Sequence, residues 1–288
     1  MKAVVLVGGF GTRIEEIAQG RPKTLLEVYD EKGNIKPIFH LLLDKINQTN
    51  NYGETVVDEI LVVTNEKYHS QMKVACKDYK KQVQNTVPIR LFNDGTTCND
   101  NRLGANGDLQ WLKGKMDQYG INYDEIMIIA GDNYFDFDLI DVVDYFDIKH
   151  YGDIKPTVFV AKTFEDEELI EAKKGFAMLK LDNQNKIIEM VEKPAANGIE
   201  IDSNMGAIAL YVMSGKNFSL IDNFMEENKD NPKAKDALGN FGSYLMKNSP
   251  TYAWTWKGKF VDIGTVKAYK DLWADYEKKF GIDPQIIK

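Results

Sequence analysis

The sequence predicts an α/β fold, specifically a Rossmann-like three-layer sandwich with a mixed, mainly parallel central sheet. Three observations lead to this prediction. Short apolar runs alternate with segments whose apolar residues recur at helical spacing. The first apolar run ends in a glycine cluster, as expected where a strand turns sharply into a helix. Later in the chain, closely spaced strands with turn residues between them indicate a small antiparallel insertion.

The first half of the chain alternates strands and helices. Pro37 begins a predicted helix with one apolar face, since proline is favoured in a first helical turn. Amphipathic spacing predicts helices over residues 37–46, 66–83 and 139–146. Apolar runs predict strands over residues 2–7, 59–64, 88–92, 125–130 and 156–162. Helices between consecutive strands are typical of parallel β-α-β units.

The second half follows a different pattern. Turn residues such as Asp182 and Asn183 separate short strands predicted over 175–182, 185–193 and 206–213. Helices over about 214–228 and 238–248, a strand over 251–257 and a helix from about Thr265 complete the chain. Because we find no internal repeat and no low-complexity linker, we expect a single domain over 1–288 with halves at about 1–150 and 151–288.

The composition argues against several classes of function. The net charge is −8 at pH 7, which argues against binding to nucleic acid or to an anionic membrane surface. No apolar run approaches the roughly 18 residues of a membrane span. The two cysteines match no metal or redox spacing, so we expect a reduced, cytoplasmic protein. An anion-binding site in such a protein must be built locally.

The first glycine cluster is a candidate for that site. Gly8, Gly9 and Gly11 follow the strand directly, and they let backbone N–H groups approach an anion without hindrance. A helix starting after the loop would add a partial positive charge of about 0.5 e. Thr12 adds a hydroxyl and Arg13 a planar cation suited to phosphate oxygens. Taken alone, the cluster could also be only a tight turn. The dinucleotide-binding and Walker patterns are incomplete here.

Lys23 favours the phosphate-binding interpretation. Pro22 fixes its own backbone and restricts Arg21, so the chain that presents Lys23 is stiff. Lys23 follows Arg13 by ten positions, which is long enough for the chain to return beside the glycine loop. In isolation, the positive charges of Arg-Pro-Lys would be interpreted as ordinary surface charges. The glycine loop nearby makes phosphate binding the preferred interpretation.

These residues resemble a known family. The sequence GGFGTR…RPKTLLEV is similar to the GGxGTR(x)nPK signature of sugar-1-phosphate nucleotidyltransferases, which include glucose-1-phosphate thymidylyltransferase-like enzymes. Val7 replaces the usual alanine and Ile14 the usual leucine. The resemblance extends to about Tyr276, and we expect a short form without a C-terminal β-helix. It implies an enzyme with catalytic Arg13, Lys23 and Asp132, and a nucleotide site at Gly8, Gly9, Gly11, Thr12, Arg13 and Gly104.

Two aspartates are candidate metal ligands. Asp132 follows the apolar run 126–130, and Asp262 precedes a Gly-Thr pair near the end of the chain. Either could instead cap a turn or a helix. Two carboxylates completed by substrate phosphates would suit Mg²⁺, and the resemblance assigns the catalytic metal to these two positions. Asp136 and Asp138 match no family motif and are interpreted as a helix-entry cluster.

The resemblance also extends to the base and sugar sites. Leu103-Gly104-Ala105 and Gly107 match a segment whose glycine lies against the nucleobase. The resemblance places sugar-phosphate contacts, within the antiparallel insertion, at Gly175, Glu192, Lys193 and Asn204. Lys174 and Phe176 depart from the tyrosine and valine of the family, so the identity of the sugar stays open.

The implied reaction joins an NTP to a sugar 1-phosphate and releases pyrophosphate, with Mg²⁺ as cofactor. We expect a hexose 1-phosphate with dTTP or UTP. A GTP- or CTP-using enzyme, including one acting on phosphocholine, is an alternative, and so is a non-catalytic protein that binds nucleotide sugars. A nicotinamide oxidoreductase fits poorly because the third fingerprint glycine is absent. The expected partners are small molecules, with no nucleic acid or membrane and with a possible homo-oligomer.

Overall fold

The computed structural model describes residues 1–50, 55–150 and 155–281. Its strands are β1 Lys2–Leu6, β2 Glu27–Tyr29, β3 Ile35–Pro37, β4 Glu59–Thr64, β5 Ile89–Asn93, β6 Glu125–Ala130, β7 Asn133–Phe135, β8 Thr157–Thr163, β9 Ala177–Leu181, β10 Ile187–Glu192, β11 Met205–Ser214, β12 Thr251–Trp256 and β13 Phe260–Asp262. Its helices are α1 Glu15–Ala18, α2 Ile38–Gln48, α3 Glu66–Gln82, α4 Ala105–Tyr119, α5 Leu139–Ile148, α6 Asp166–Gly175, α7 Gly215–Glu227, α8 Pro232–Asp236, α9 Leu238–Asn248 and α10 Val266–Phe280.

The main sheet has nine strands, and its centre is parallel. β6, β1, β4 and β5 run parallel in that order, with Val4 opposite both Leu61 and Ile128. β11 pairs antiparallel with β6, and it leads to the antiparallel β9–β10 hairpin on one branch and to β8 and β12 on the other. The predicted mixed sheet with an antiparallel insertion is therefore confirmed.

Both faces of the sheet are covered. Along β1, Ala3 and Val5 join one hydrophobic cluster with α2, α3 and α5, whereas Val4 and Leu6 join another with α4, α7 and α9. Because side chains of a strand alternate between faces, a strand apolar at every position must be buried on both sides. The predicted three-layer sandwich follows directly from this pattern. No helix in the described ranges has the length and apolar composition that crossing a bilayer requires.

Two short strand pairs lie outside the main sheet. β2 pairs with β3, and β7 pairs with β13, each over three residues. Helix α10 covers them through a cluster that includes Tyr29, Tyr134, Ile263 and Tyr276. The sequence analysis did not predict these strands, because three residues are too few to establish a period.

The sequence analysis did not predict helices α4, α6 and α8, and several boundaries differ from the predicted ones by one or two residues. Two of the differences concern residues singled out above. Pro37 is the last residue of β3 and precedes helix α2, because its ψ of 142° is extended. Gly175 ends α6 instead of beginning a strand, and β9 starts at Ala177. The turn at Asp182 forms as predicted, and its carboxylate accepts hydrogen bonds from the backbone N–H groups of Gln184 and Lys186.

Candidate active site

The glycine loop lies at the carboxyl edge of the parallel strands, and two side chains hold its backbone by hydrogen bonds. The side-chain amide of Asn65, just after β4, donates to the Gly8 carbonyl at 2.8 Å. The Tyr68 hydroxyl, on α3, donates to the Phe10 carbonyl at 2.9 Å. Both side chains are buried. Sequence reasoning missed these two supports, although Asn65 stands at the end of a predicted strand, where functional side chains are common.

One expectation about this loop was wrong in part. The loop leads into a single 3₁₀ turn, Thr12–Ile14, and then into the four-residue α1, not into a long helix. A helix dipole requires several aligned peptide units, so its contribution here is small. Positive charge at the loop must come mainly from side chains. Arg13 is exposed where it could supply that charge, and the exposed Thr12 adds a neutral hydroxyl. Gly11 has a φ of 64°, which explains the glycine at that position.

Lys23 returns to the glycine loop as predicted. An alanine methyl group at Gly9 or Gly11 would lie 3.7 or 3.8 Å from carbons of the Lys23 side chain. The Lys23 ammonium contacts the Asp132 carboxylate directly. Burial opposes the charged form of Lys23, but the charges of Asp132 and Asp262 outweigh it and raise the lysine pKa above its usual value. Lys23 is therefore a cation held at the base of the loop.

Asp132 and Asp262 are brought together by the β7–β13 pair. Asp262 lies opposite Asn133 in that pair, and the Ile263 N–H donates to the Asp132 carbonyl at 3.1 Å. Burial, and then the charge of Asp132, raise the pKa of the Asp262 carboxyl above its usual value. Lys23 and Arg13 oppose that shift. Two acidic groups from opposite halves of the chain thus lie side by side, next to the Lys23 and Arg13 cations.

The described residues contain no group of three or more His, Cys, Asp or Glu side chains arranged to hold a metal. Among residues 1–50, 55–150 and 155–281, the acidic groups whose charges act on Lys23 are Asp132 and Asp262. Two carboxylates are too few for a closed protein cage. They do suit Mg²⁺, which prefers one or two carboxylates and completes its octahedron with water and phosphate oxygens.

A cleft beside this pair contains most of the predicted sugar-phosphate residues. Its lining includes Asp132, Asp262, Gly175, Glu192 and Lys193. The predicted residue Asn204 does not line it. The Asn204 side-chain amide instead points to the Phe164 carbonyl, 3.4 Å away.

The backbone of Lys193 is strained. Its φ is 44° and ψ is 59°, a left-handed conformation that is unfavourable for lysine and especially so before Pro194. This conformation directs the chain away from β10 and leaves the Lys193 ammonium 3.7 Å from the Glu192 carboxylate. Burial raises the pKa of Glu192, and Lys193 opposes the shift. Strain of this kind persists only where the surrounding structure enforces it.

Gly104, the predicted nucleobase platform, is constrained by protein packing. Its φ is 79°, and an added methyl group would lie 2.7 Å from the Lys235 carbonyl of α8. The glycine therefore allows α4 and α8 to approach closely. The same turn of α4 carries Asp108, a buried residue that the sequence analysis did not single out.

Gly239, another residue missed from sequence, accommodates Glu192. A methyl group at Gly239 would lie 1.8 Å from Glu192 Oε2, so a side chain there must displace the carboxylate. For the reaction that the sequence resemblance implies, Gly239→Ala should raise the KM for the phosphate acceptor at least about tenfold, the scale of one lost polar contact, with a much smaller change in the KM for NTP. Steady-state kinetics with each substrate varied will measure this. Gly114→Ala, in open space on α4, is the matched control, and equal effects of the two variants would contradict the role of Gly239.

Asp108 should make stability depend on pH. Burial, and then the nearby Asp94, raise the pKa of Asp108 from 3.8 to about 8. A folded-state pKa above the unfolded one contributes stability that is present below pH 3.8 and is lost as the pH rises to about 8. The free energy of unfolding of Asp108→Asn, relative to wild type, should therefore increase by about 1 kcal/mol or more between pH 5 and pH 8. Urea denaturation of the nucleotide-free proteins measures it. If the free energies of unfolding of the two proteins change equally between pH 5 and pH 8, Asp108 is ionised in the folded protein throughout that range, which would contradict the raised pKa.

Known proteins provide an independent comparison. The bifunctional protein GlmU of Methanocaldococcus jannaschii is 25% identical over 264 residues, which cover 92% of this chain and 51% of that protein. Glucose-1-phosphate adenylyltransferase of Fervidobacterium nodosum is 27% identical over 154 residues, 54% of this chain and 33% of the relative. This chain thus matches about half or less of the length of these two relatives.

Solved structures resemble the fold over nearly the whole chain. A putative glucose-1-phosphate thymidylyltransferase from Bacillus anthracis superposes with a TM-score of 0.71 at 20% identity, covering 96% of this chain and 95% of that one. A UDP-glucose pyrophosphorylase complexed with UDP-glucose gives a TM-score of 0.71 at 17% identity, covering 96% and 98%. The family model described as nucleotidyl transferase matches residues 2–279. Because that model covers nearly the whole chain, the chain belongs to the nucleotidyl transferase family.

Proposed function

We propose that this enzyme transfers a nucleotidyl group from an NTP to a sugar 1-phosphate and releases pyrophosphate. The observation that carries the proposal is the meeting of Lys23, Asp132 and Asp262 beside the glycine loop, with the Glu192–Lys193 cleft adjoining them. The first half of the chain would bind the nucleotide, and the second half, about 151–288, would bind the acceptor. Asp262 is the exception, since it would complete the metal site from the second half.

Charge is the main obstacle to this reaction. Two anionic substrates must meet, and the acceptor phosphate is already ionised at neutral pH, so no general base is needed. Backbone N–H groups of Gly8, Gly9 and Gly11, with Arg13, would hold the β- and γ-phosphates, which leave as pyrophosphate. Lys23 would stabilise charge that develops on the α-phosphate. Catalysis of this kind relies on positioning and on preorganised charge.

Asp132 and Asp262 would hold Mg²⁺. The ion supplies Lewis-acid polarisation of a phosphoryl oxygen when bound. Its binding also offers a physical reason for placing two carboxylates so close together that they repel each other. Lys193 would bind the phosphate of the acceptor, and Glu192 would accept hydrogen bonds from the acceptor's hydroxyl groups.

The observations constrain the identities of the acceptor and of the nucleobase less than they constrain the type of reaction. A hexose 1-phosphate with dTTP or UTP is our first expectation, and it agrees with the names of the two structural neighbours, a thymidylyltransferase and a UDP-glucose pyrophosphorylase. A GTP- or CTP-using enzyme, including one acting on phosphocholine, is the alternative. Phe176 lines the acceptor cleft at a position where valine is usual, and its ring stacks edge-on against Phe260 at 5.6 Å. This aromatic wall favours an acceptor with an apolar face.

A pyrophosphate-release assay tests the proposal. Five nucleotides (ATP, CTP, GTP, UTP and dTTP) are combined with a panel of sugar 1-phosphates and phosphocholine, with Mg²⁺ or with excess chelator. The expected result is release that requires one nucleotide, one acceptor and the metal together. Tight binding of a nucleotide sugar without release for any pair would instead support a non-catalytic binding protein.

A further inference from the structure

The Asp136 carboxylate joins two segments that are distant in the sequence. Asp136 lies directly after β7, four residues beyond Asp132. Its Oδ1 atom accepts a hydrogen bond from the Trp256 indole N–H at 3.0 Å, and its Oδ2 atom accepts one from the Lys259 backbone N–H at 2.8 Å. Instead of capping α5, as a helix-entry residue would, Asp136 holds the turn between β12 and β13.

The two donors to this carboxylate belong to differently anchored parts of the fold. Trp256 is the last residue of β12 and lies opposite Lys162 of β8, so it is fixed in the nine-stranded sheet. Lys259 directly precedes β13, which pairs with β7 over three residues outside that sheet. The Asp136 carboxylate therefore ties the β7–β13 pair to the main sheet, and it also fixes the turn that leads to Asp262.

The turn between β12 and β13 has a glycine where this contact needs space. A methyl group at Gly258 would lie 2.2 Å from Trp256 Nε1 and 2.4 Å from Asp136 Oδ1. Both distances are far shorter than a van der Waals contact. A side chain at Gly258 would therefore force the indole and the carboxylate apart, and the hydrogen bond between them requires a glycine at this position.

The register of β13 determines where the Asp262 carboxylate lies. β13 pairs antiparallel with β7 and brings Asp262 opposite Asn133. The hydrogen bond between Asp136 and Lys259 adds a contact just beyond the other end of this pairing. Because side chains alternate between the two faces of a strand, a slip by one residue would turn the Asp262 side chain away from Asp132. A bond that fixes Lys259 opposes such a slip.

We propose that Asp136 is a positioning residue for the metal site, which holds Asp262 in register beside Asp132 without touching the ion or the substrates. This inference rests on the proposed function, in which the other two aspartates bind Mg²⁺. Asp136 is exposed and does not line the acceptor cleft. Its loss should therefore weaken Mg²⁺ binding and leave acceptor binding almost unchanged. A residue that served folding alone would lower stability without this selective effect.

Hydrogen exchange of the nucleotide-free protein tests the positioning without an activity assay. Asp136→Ala removes both acceptor oxygens. We expect backbone N–H groups of residues 259–263 to exchange about tenfold faster than in wild type, the effect of about one net hydrogen bond, and those of β1 and β4 to be unaffected. Asp138→Ala is the matched control, since Asp138 is exposed and makes no capping hydrogen bond. Unchanged exchange over 259–263 in Asp136→Ala would overturn the inference.

The kinetics of pyrophosphate release separate positioning from folding. Asp136→Ala should raise the Mg²⁺ concentration at half-maximal rate about tenfold and change the KM for the acceptor less than about twofold. Asp136→Asn keeps one acceptor oxygen and should raise that Mg²⁺ concentration only about threefold. Gly258→Ala should resemble Asp136→Ala, because it breaks the same contact without removing a charge, and Gly114→Ala, in open space, is its control.

The outcomes of the two experiments are distinct. A normal Mg²⁺ requirement in Asp136→Ala, or an equal rise in the Mg²⁺ requirement and in the KM for the acceptor, would assign Asp136 a structural role only. Absence of pyrophosphate release by the wild type with every pair of substrates would count against the proposed function. The exchange measurement would still decide whether Asp136 holds β13 in place.

Discussion

Asp132→Asn should abolish magnesium-dependent turnover, with a loss of about 10³-fold or more, because it removes one of the two carboxylates that we propose bind the ion. The neutral amide is a poor ligand, and it also releases the Lys23 ammonium from its partner. Asp262→Asn should have a similar effect, because the two carboxylates would bind the ion together. Pyrophosphate release at varied Mg²⁺ measures both losses, and circular dichroism checks the fold.

The control for this substitution lies six residues further along the chain. Asp138 is exposed, precedes α5 and makes no capping hydrogen bond, so Asp138→Asn changes the charge equally near the same strand pair. Its turnover should remain within about twofold of wild type. Near-normal turnover of Asp132→Asn, or equal turnover of the wild type in excess chelator, would rule out a metal site at these two aspartates.

Lys23→Ala should lower turnover by about 10²–10³-fold, the range reported for removing one preorganised donor to a developing charge. The substitution also leaves Asp132, whose side chain is only 14% exposed, without its cation in the nucleotide-free protein. Stability of that form should therefore fall, and Mg²⁺ should restore part of it. Turnover and thermal unfolding, each with and without Mg²⁺, separate the two effects.

Lys81→Ala is the corresponding control, since Lys81 is 65% exposed and pairs only with Asp78 on the same helix. Exposed pairs of this type contribute little to stability. Arg13→Ala should resemble Lys23→Ala in turnover and leave nucleotide-free stability almost unchanged, because Arg13 is exposed. Normal turnover in Lys23→Ala would remove this lysine from the mechanism and leave Arg13 as the side-chain cation proposed to bind the triphosphate.

The main strands and most helices could be predicted from sequence because their periods are long and regular. The run 126–130 is apolar at every position, which requires burial on both faces. The β7–β13 pair could not be predicted, because its register depends on α10 and on residues more than a hundred positions apart. Local sequence contains no signal for such a pairing.

Some residues of the candidate site could likewise be predicted from sequence, and others could not. Lys23 was predictable because its spacing from the glycine loop is short and Pro22 stiffens the connection. The fit of Gly239 against Glu192 was not, since it depends on how α9 packs on β10. The approach of Asp94 and Asp108 to Gly8 could not be predicted either, because it depends on tertiary packing. From its local sequence, Asp108 is an ordinary acidic residue in the first turn of a helix.

The strand pair that carries Asp262 beside Asp132 is only three residues long, and α10 holds it in place. So short a ladder contributes little cohesion of its own, whereas the nine-stranded sheet has two extensive cores. On warming, the enzyme would therefore lose activity several degrees before its bulk secondary structure melts, and cooling would restore it. The proposed metal site would then depend on a short peripheral strand pair and not on the main sheet.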